Sequence, residues 1–303
     1  MYKKTFFIVL TVTVHCFLFS VVFAGGVGTT GAQFLKLGIG AKPSGMGESF
    51  VGIADDVNSI FWNPAGLTNL KSFETSLSGV LLYQGIYYGS IGVGKNISKS
   101  SSLGIGMIYL GMDKIKGYDK WGNSNPEGDY TANDRAVSVS YGQKISSKVS
   151  IGICIKTIQQ IIEKVSATGT AYDIGMLYSL NKFSMGIVGQ NMGSSIGFYE
   201  KFSLPTIFKL GISYRIKKNF LIGSDVNFPV EYKVNFHLGM EYVYKNILSL
   251  RLGLKTNTID DLGSLSGLTS GFGLRLGKMD IDYASLTYGD LGNTSKIGLS
   301  FKF

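Results

Sequence analysis

The residue best suited to proton transfer in this sequence is a histidine in the last third of its 303 residues. A hydrolase of the Ser-His-acid type relays a proton through an imidazole, and His237 is the only histidine outside the first 24 residues. Asn235 and Glu241 lie at strand spacing from it, so the three side chains would share one face of a strand. A polar residue on the wet face of a strand gives the same pattern without any chemistry. We favour that interpretation and expect no catalytic residue and no enzyme activity.

Metal and phosphate sites have equally weak support. Cys154 is the only cysteine outside the first 24 residues, so the chain beyond them can build neither an internal disulfide nor a multi-cysteine metal site. The acidic pairs at 55–56 and 260–261 lack the oxygen ligands of a calcium loop, and we interpret them as a helix cap and a solvated loop. The run at 92–98 lacks the spacing of a phosphate-binding loop. The sequence therefore predicts no cofactor and no metal.

Basic residues outnumber acidic ones, and the formal net charge is +9. The lysines and arginines are scattered rather than clustered, so we expect no nucleic-acid partner. Many lie on the polar face of predicted strands. There they could select anions or fatty carboxylates, or they could pair with acids in a hydrogen-bonded interior, and we favour the second. The candidates on this face are Arg215, Glu241, Arg251, Lys255 and Arg275.

The elements that carry these side chains alternate with a period of two residues from Lys71 to the C-terminus. In the segment 249–255, the leucines fall on one face and the arginine and lysine on the other. A soluble β-sandwich alternates in the same way. However, charged residues make up only 16% of the chain, and beyond residue 24 no apolar run approaches the roughly 18 residues of a membrane-spanning helix. A closed transmembrane β-barrel satisfies both observations.

Fourteen strands can be placed on this pattern, an even number with lengths near the ~9 to 11 residues of a tilted membrane strand. Short links rich in Lys, Asn or Ser alternate with longer ones, which predicts one rim of short turns and one rim of long loops. The predicted strands are 71–82, 86–97, 101–113, 133–145, 148–162, 168–180, 182–192, 205–217, 219–228, 233–245, 246–257, 267–277, 278–287 and 293–303.

The two ends of the chain carry export signals. Lys3 and Lys4 precede an apolar stretch that ends in a small-residue cleavage site at Ala24, so residues 1–24 are interpreted as a secretory signal peptide. The last strand ends on Phe303, on its apolar face. This resembles the C-terminal signal by which bacterial outer-membrane barrels are recognised, and it implies the barrel assembly machinery and outer-membrane lipid as partners.

Residues 25–70 do not alternate, and we expect them to form a small plug entered from the short-turn rim. Asp55 or Asp56 is predicted to cap a short helix that runs to about Trp62 and ends at Pro64 and Gly66. The segment supplies glycine hinges and an apolar cluster. Movement of the plug and fixed packing are both compatible with that composition.

The plug segment also carries a set of short motifs: 31–37, Gly45-Met46-Gly47, 50–51, Ala54-Asp55-Asp56 and Trp62-Asn63-Pro64-Ala65-Gly66-Leu67. With these motifs the segment resembles the N-terminal signature of the PorV/PorQ family and the related UPF0164 proteins, which are themselves similar to FadL-type transporters. The resemblance is dense over about forty residues and only architectural over the barrel.

The resemblance implies two functions. FadL-like proteins admit hydrophobic molecules through a plugged barrel of 14 strands in the bacterial outer membrane, which implies a hydrophobic ligand. PorV-like proteins serve type IX protein secretion, which implies secreted protein partners. We favour the first function and keep the second as the alternative.

Overall fold

The computed structural model describes residues 26–124, 128–256, 266–289 and 292–303. They form a closed barrel of fourteen antiparallel strands around a short helical plug, which confirms the predicted fold. Every strand end lies within about three residues of its prediction. The strands are β1 (Phe73–Leu81), β2 (Ile86–Asn96), β3 (Ser101–Met112), β4 (Ala132–Lys144), β5 (Val149–Ile162), β6 (Val165–Leu180), β7 (Phe183–Gly193), β8 (Ile207–Lys217), β9 (Phe220–Pro229), β10 (Asn235–Tyr244), β11 (Leu248–Lys255), β12 (Leu268–Leu276), β13 (Met279–Thr287) and β14 (Asn293–Lys302).

The barrel closes because each strand pairs with the next along the chain and β1 also pairs with β14. The alternation places apolar side chains on the outside: Leu250 and Leu252 are 50% and 56% exposed. Arg251 between them faces the lumen and is buried. An apolar outer face and a polar interior are expected of a barrel in lipid and are the reverse of a soluble sandwich. Among the described residues, no helix is long and apolar enough to cross a membrane.

The links between strands are sorted by length. One rim, here the short-turn rim, has links at 97–100, 145–148, 181–182, 218–219, 245–247 and 277–278. The opposite rim, here the long-loop rim, holds the three longest links, at 113–131, 194–206 and 256–267. The barrel seam ends at the short-turn rim, where the ring of Phe303 lies 5.5 Å from that of Phe73.

Ten exposed lysines follow the short-turn rim, and we call them the basic ring. Each short link contains one of them or adjoins one. The members are Lys71, Lys95, Lys99, Lys144, Lys148, Lys182, Lys217, Lys218, Lys245 and Lys278.

The plug fills the lumen with four short helical turns: Gln33–Lys36, Ala41–Gly45, Ser59–Trp62 and Pro64–Asn69. Most of its apolar side chains are buried, and Phe50 has no exposed surface. Burying a side chain of this size contributes roughly 1.5–3 kcal/mol. The apolar content of the segment therefore serves to pack the lumen.

The plug runs from one rim to the other. The amide of Gly31 donates to the carbonyl of Ser203 in the β7–β8 link, at 2.9 Å, so the described chain starts at the long-loop rim. At the other end, the side chain of Asn96 donates to the carbonyl of Leu70 at the short-turn rim. The prediction that the plug is entered from the short-turn rim is therefore wrong for the described residues. Residues 1–24, the predicted signal peptide, and 260–261 lie outside them.

The predicted helix cap is also wrong in detail. The N-cap of Ser59–Trp62 is Asn58, and its side chain makes no capping bond. Asp56 instead accepts hydrogen bonds from the backbone and side-chain nitrogens of Asn58, both at 2.9 Å, which fixes the turn before the helix. Pro64 begins the next helical turn, because proline suits the first helical position.

Candidate functional site

The plug touches the barrel wall directly because glycines face the lumen where it passes. A Cβ on Gly253 would lie only 2.0 Å from the amide nitrogen of Gly47, and one on Gly239 would lie 2.3 Å from the carbonyl oxygen of Met46. Gly47 itself has φ of +61°, which favours glycine. A Cβ on Gly45 would lie 3.2 Å from Cα of Gly271 on β12. The Gly45-Met46-Gly47 motif is thus one of the points where plug and wall are in closest contact.

Hydrogen bonds from wall side chains hold the same part of the plug. Asp225 on β9 accepts from the amides of Phe50 and Val51, at 2.9 and 3.0 Å. On β12, Thr269 accepts from the amide of Gly47 at 2.9 Å. Polar plug groups removed from water therefore find partners on the barrel wall, as buried polar groups require.

The Trp62 to Gly66 motif makes a second attachment. The indole nitrogen of Trp62 donates to the carbonyl of Ile39 at 3.0 Å. Asn63 caps the turn that starts at Pro64, by accepting from the amide of Ala65, and donates to the carbonyl of Met176 on β6 at 3.2 Å. Gly66 packs closely against the plug itself, because a Cβ there would meet Ala54.

Several of the charged candidates form buried ion pairs. Lys255 contacts Glu48 of the plug at 2.8 Å. Arg251 contacts Glu241 at 2.7 Å and Asp282 at 2.6 Å. These two cations and three carboxylates have a formal net charge of −1, so the group leaves no surplus positive charge to attract an anion.

The other charged candidates lie apart from that group. Lys42 joins Asp55 and Asp56 within the plug, at 2.6 and 3.1 Å. Arg275 lies half exposed at the short-turn rim, paired with Asp280 at 2.9 Å. Arg215 lies near the same rim, two residues before the end of β8. The candidates are thus distributed over the lumen and the short-turn rim rather than gathered at one site.

A cavity of about 300 Å³ lies between the plug and strands β7 to β10, at the end nearest the long-loop rim. Much of its lining is apolar and is contributed by both plug and wall. This volume is at the lower end of the range for small-molecule sites. The apolar lining includes Leu35, Leu37, Ile39, Phe61, Trp62, Pro205 and Ile207.

Polar side chains line the same cavity in two neighbouring rows of the wall. Lys209, Asn227 and Asn235 are paired across β8, β9 and β10, and His237 lies in the row below, where its strand partner is Asp225. Strands lie ~4.8 Å apart, so these groups are close neighbours. They form a small polar wall beside an apolar chamber.

Two of these groups have no charge or hydrogen-bond partner in the described part of the chain. Lys209 lies over the ring of Trp62, with Nζ 4.8 Å from its centre, and no described carboxylate lies within ion-pair distance of it. Neither ring nitrogen of His237 has a hydrogen-bond partner there, and the nearby main chain of Glu48 does not reach hydrogen-bond geometry. Both groups are therefore available to a bound molecule.

The geometry around His237 does not match a catalytic triad. Asn235 exchanges its side-chain hydrogen bonds with Asn227 and the main chain of Lys233. Glu241 is engaged by Arg251. Neither residue orients the imidazole, which a proton relay requires.

The beginning of the plug covers the cavity, and one carboxylate contacts both ends of this segment. We call residues 30–36 the strap. Glu231 in the β9–β10 link accepts from the amide of Thr30 at 3.0 Å and contacts Nζ of Lys36 at 2.6 Å. Burial raises the pKa of Glu231, but the hydrogen bonds from Lys36 and Thr30 outweigh it and hold the pKa below its ordinary value.

Sequence reasoning missed the cavity. Lys209 was visible as a lysine on a polar strand face, but its position over Trp62 depends on the plug's path. Glu231 lies in a link, where a single acidic residue carries no signal. Only the strand register brings these residues to one chamber.

The comparisons with known proteins agree on the fold. No protein-family model and no curated protein matches this sequence. The toluene transporter TbuX of Ralstonia pickettii superposes with a TM-score of 0.63 at 14% identity, over 88% of this chain and 98% of that one. A FadL homologue of Pseudomonas aeruginosa gives 0.63 at 9% identity, over the same shares.

The toluene transporter TodX of Pseudomonas putida gives a TM-score of 0.63 at 12% identity, over 87% of this chain and 96% of that one. At these identities the likeness concerns the fold alone. The proposed membership of the PorV/PorQ family stays a prediction. The chain has the fold of the FadL-like transporter barrels.

Proposed function

We propose that this chain is an outer-membrane channel for hydrophobic small molecules, which enter through the cavity beneath the long-loop rim. The observation that carries the proposal is that cavity, with its apolar lining between plug and wall. The apolar outer face of the barrel and its likeness in fold to two toluene transporters support it. On this proposal, residues 1–24 direct export and the barrel assembly machinery inserts the chain.

The polar wall narrows the class of molecule. Lys209 and His237 offer an amine and an imidazole beside apolar surface. A pocket of this kind orients a largely apolar ligand through a few polar contacts. The ligand is therefore a small hydrophobic compound that carries at most one compact polar group.

The proposal is tested by placing a larger side chain on the barrel wall where it would fill the cavity. Ile207 lines the cavity at the start of β8, whereas Ile212 on the same strand faces outward and is 47% exposed. In cells, Ile207→Trp should reduce uptake of the hydrophobic dye N-phenylnaphthylamine to the level of cells without the protein. Ile212→Trp should leave uptake unchanged. Normal uptake by the Ile207 variant, or equal loss in both, would contradict the proposal.

One feature favours the alternative, a PorV-like accessory of type IX secretion. The described part of the β3–β4 link, which we call the arm, contains Tyr118 and Trp121, which are 62% and 74% exposed. Asp119 holds its tip by accepting from the amides of Trp121 and Asn123, both at 2.9 Å. Exposed aromatic side chains on a fixed turn suit a protein partner. Co-purification of secreted proteins that is lost in Trp121→Ala would support this function; retention in the variant would argue against it.

A further inference from the structure

The two rims differ in their balance of acidic and basic residues. In the described part of the chain, no lysine of the basic ring lies within ion-pair distance of a carboxylate. The partly exposed carboxylates near the short-turn rim are already paired: Asp280 with Arg275 and Lys302, and Asp55 with Lys42. The short-turn rim therefore carries a large unneutralised positive charge.

Among the described residues, the long-loop rim has no such excess. Acidic and basic residues stand side by side there, and some are paired. Lys114 lies 3.3 Å from Asp129, and Lys164 lies 3.9 Å from Glu163. The asymmetry is thus a property of one rim and not of the whole basic chain.

We propose that the basic ring binds the headgroups of anionic phospholipids in the leaflet that the short turns face. The lysines surround the whole barrel rather than forming one patch, which matches an annulus of headgroups better than a single docked protein. They also lie at the level where the apolar outer band ends. Lysines near an anionic bilayer surface are attracted to it.

Aromatic side chains at the same level support a lipid interface. Tyr141, Tyr214 and Tyr244 project outward near the short-turn ends of β4, β8 and β10, each at least 38% exposed. Nζ of Lys245 lies 5.3 Å from the ring centre of Tyr244, and Nζ of Lys278 lies 5.6 Å from that of Phe303. Aromatic belts beside basic residues mark the boundary of the hydrocarbon region. The lysine stems can lie along this belt while their ammonium groups reach the phosphates.

The proposal does not depend on what the barrel transports. It states that the positive charge of the short-turn rim determines how the protein is oriented in the membrane and which lipids surround it. Each lysine close to an anionic surface is expected to contribute roughly fivefold to the binding constant. Because the lysines are exposed, salt should weaken the interaction.

The test measures lipid preference of the purified full chain. Native mass spectrometry after equilibration with an equimolar mixture of phosphatidylglycerol and phosphatidylcholine should show retained phosphatidylglycerol in excess, at low salt. In one variant, five ring residues are changed to glutamine, and this excess should fall about tenfold or more. The five are Lys144, Lys148, Lys217, Lys218 and Lys245.

A matched control removes the same charge from the long-loop rim, by changing Lys114, Lys116, Lys120, Lys164 and Lys201 to glutamine, and should keep the preference. Arginine at the five ring positions should also keep it, and heat-modifiable gel migration shows whether each variant is folded.

Equal preference in both glutamine variants, or none in the wild type, would overturn the proposal. Loss of the preference with millimolar inorganic phosphate would indicate a free-anion site instead. If the ring variant does not fold, the salt dependence of the wild type decides: the screening length in 0.5 M NaCl is ~4 Å, and a preference unaffected by that salt would overturn the proposal.

Discussion

Oε1 of Glu48 in the plug lies 2.8 Å from Nζ of Lys255 on β11, and both side chains are nearly fully buried. Removing one member of a buried pair leaves the other charged and unpaired, which costs about 3–5 kcal/mol. We therefore expect Glu48→Gln to lower the free energy of unfolding by that amount, measured by urea titration in micelles. Glu163→Gln, in an exposed pair with Lys164, should cost less than about 1 kcal/mol. Equal effects would show that the plug pair is unimportant.

Asp225 is expected to hold the centre of the plug through two backbone amides. In Asp225→Ala the amides of Phe50 and Val51 lose their acceptor, and each such loss costs about 1–3 kcal/mol. Hydrogen exchange at these two amides should become about tenfold faster or more. Asp119→Ala, which removes a similar acceptor from the arm, should leave exchange in the plug unchanged. Unaltered protection in Asp225→Ala would refute the assigned contact.

The wall should not tolerate a side chain where the plug passes. In Gly253→Ala the added Cβ would lie 2.0 Å from the amide nitrogen of Gly47, so plug and wall must separate. We expect lower barrel yield and higher ion conductance in planar bilayers. Gly79→Ala on β1 is the control, because a Cβ there meets no atom within 4 Å. Wild-type conductance and yield from Gly253→Ala would contradict the close contact.

Asn63 should matter more than its neighbour in the same helical turn. Asn63→Ala removes a cap, worth about 1 kcal/mol, and also the bond to Met176 on the wall. The expected loss of stability is about 2 kcal/mol. Asn69→Ala removes one bond to the carbonyl of Ala54, so its cost should be about 1 kcal/mol. The urea midpoints of the two variants measure the difference, and an equal shift would show that the wall contact contributes nothing.

The strap should loosen in acid. The pKa of Glu231 is lowered in the folded protein from its ordinary value of 4.5. The stabilisation it gives is therefore fully present above pH 4.5 and is lost as the pH falls through the lowered value. Hydrogen exchange in residues 30–36 should accelerate only in that acidic range. Glu231→Gln should show fast exchange at every pH, and a pH response that survives in this variant would point to another group.

Much of the barrel was predictable because each strand shows the alternation of apolar and polar residues within its own sequence. The alternation in 249–255 identifies a strand, and the lysine-rich links identify the short-turn rim. Both signals come from neighbouring residues in the sequence. The period-two alternation of side chains also placed Arg251 and Lys255 correctly on the lumen face. A one-residue shift would have reversed every side chain, so the pattern strongly constrains the register.

The plug was less predictable because its contacts are distant in sequence. Asp56 stands where a cap is expected, yet the helix starts at Ser59 because Asp56 is used in the preceding turn. The partner of Asn63 is Met176, more than a hundred residues away. The cavity depends on such pairings, and no local signal for Glu231 or Lys209 reveals them.

The seam between β1 and β14 has a consequence for the order of assembly. Lys296 on β14 donates to Gly38 and to Ser44, so the last strand is hydrogen-bonded to the plug. The plug is made before any strand, yet it is enclosed only when the final strand meets the first. Its segment must therefore already be inside the curling sheet when the seam closes. A barrel that zips shut too early would exclude its own N-terminal segment, and such a misfolded product would be an empty, conducting ring.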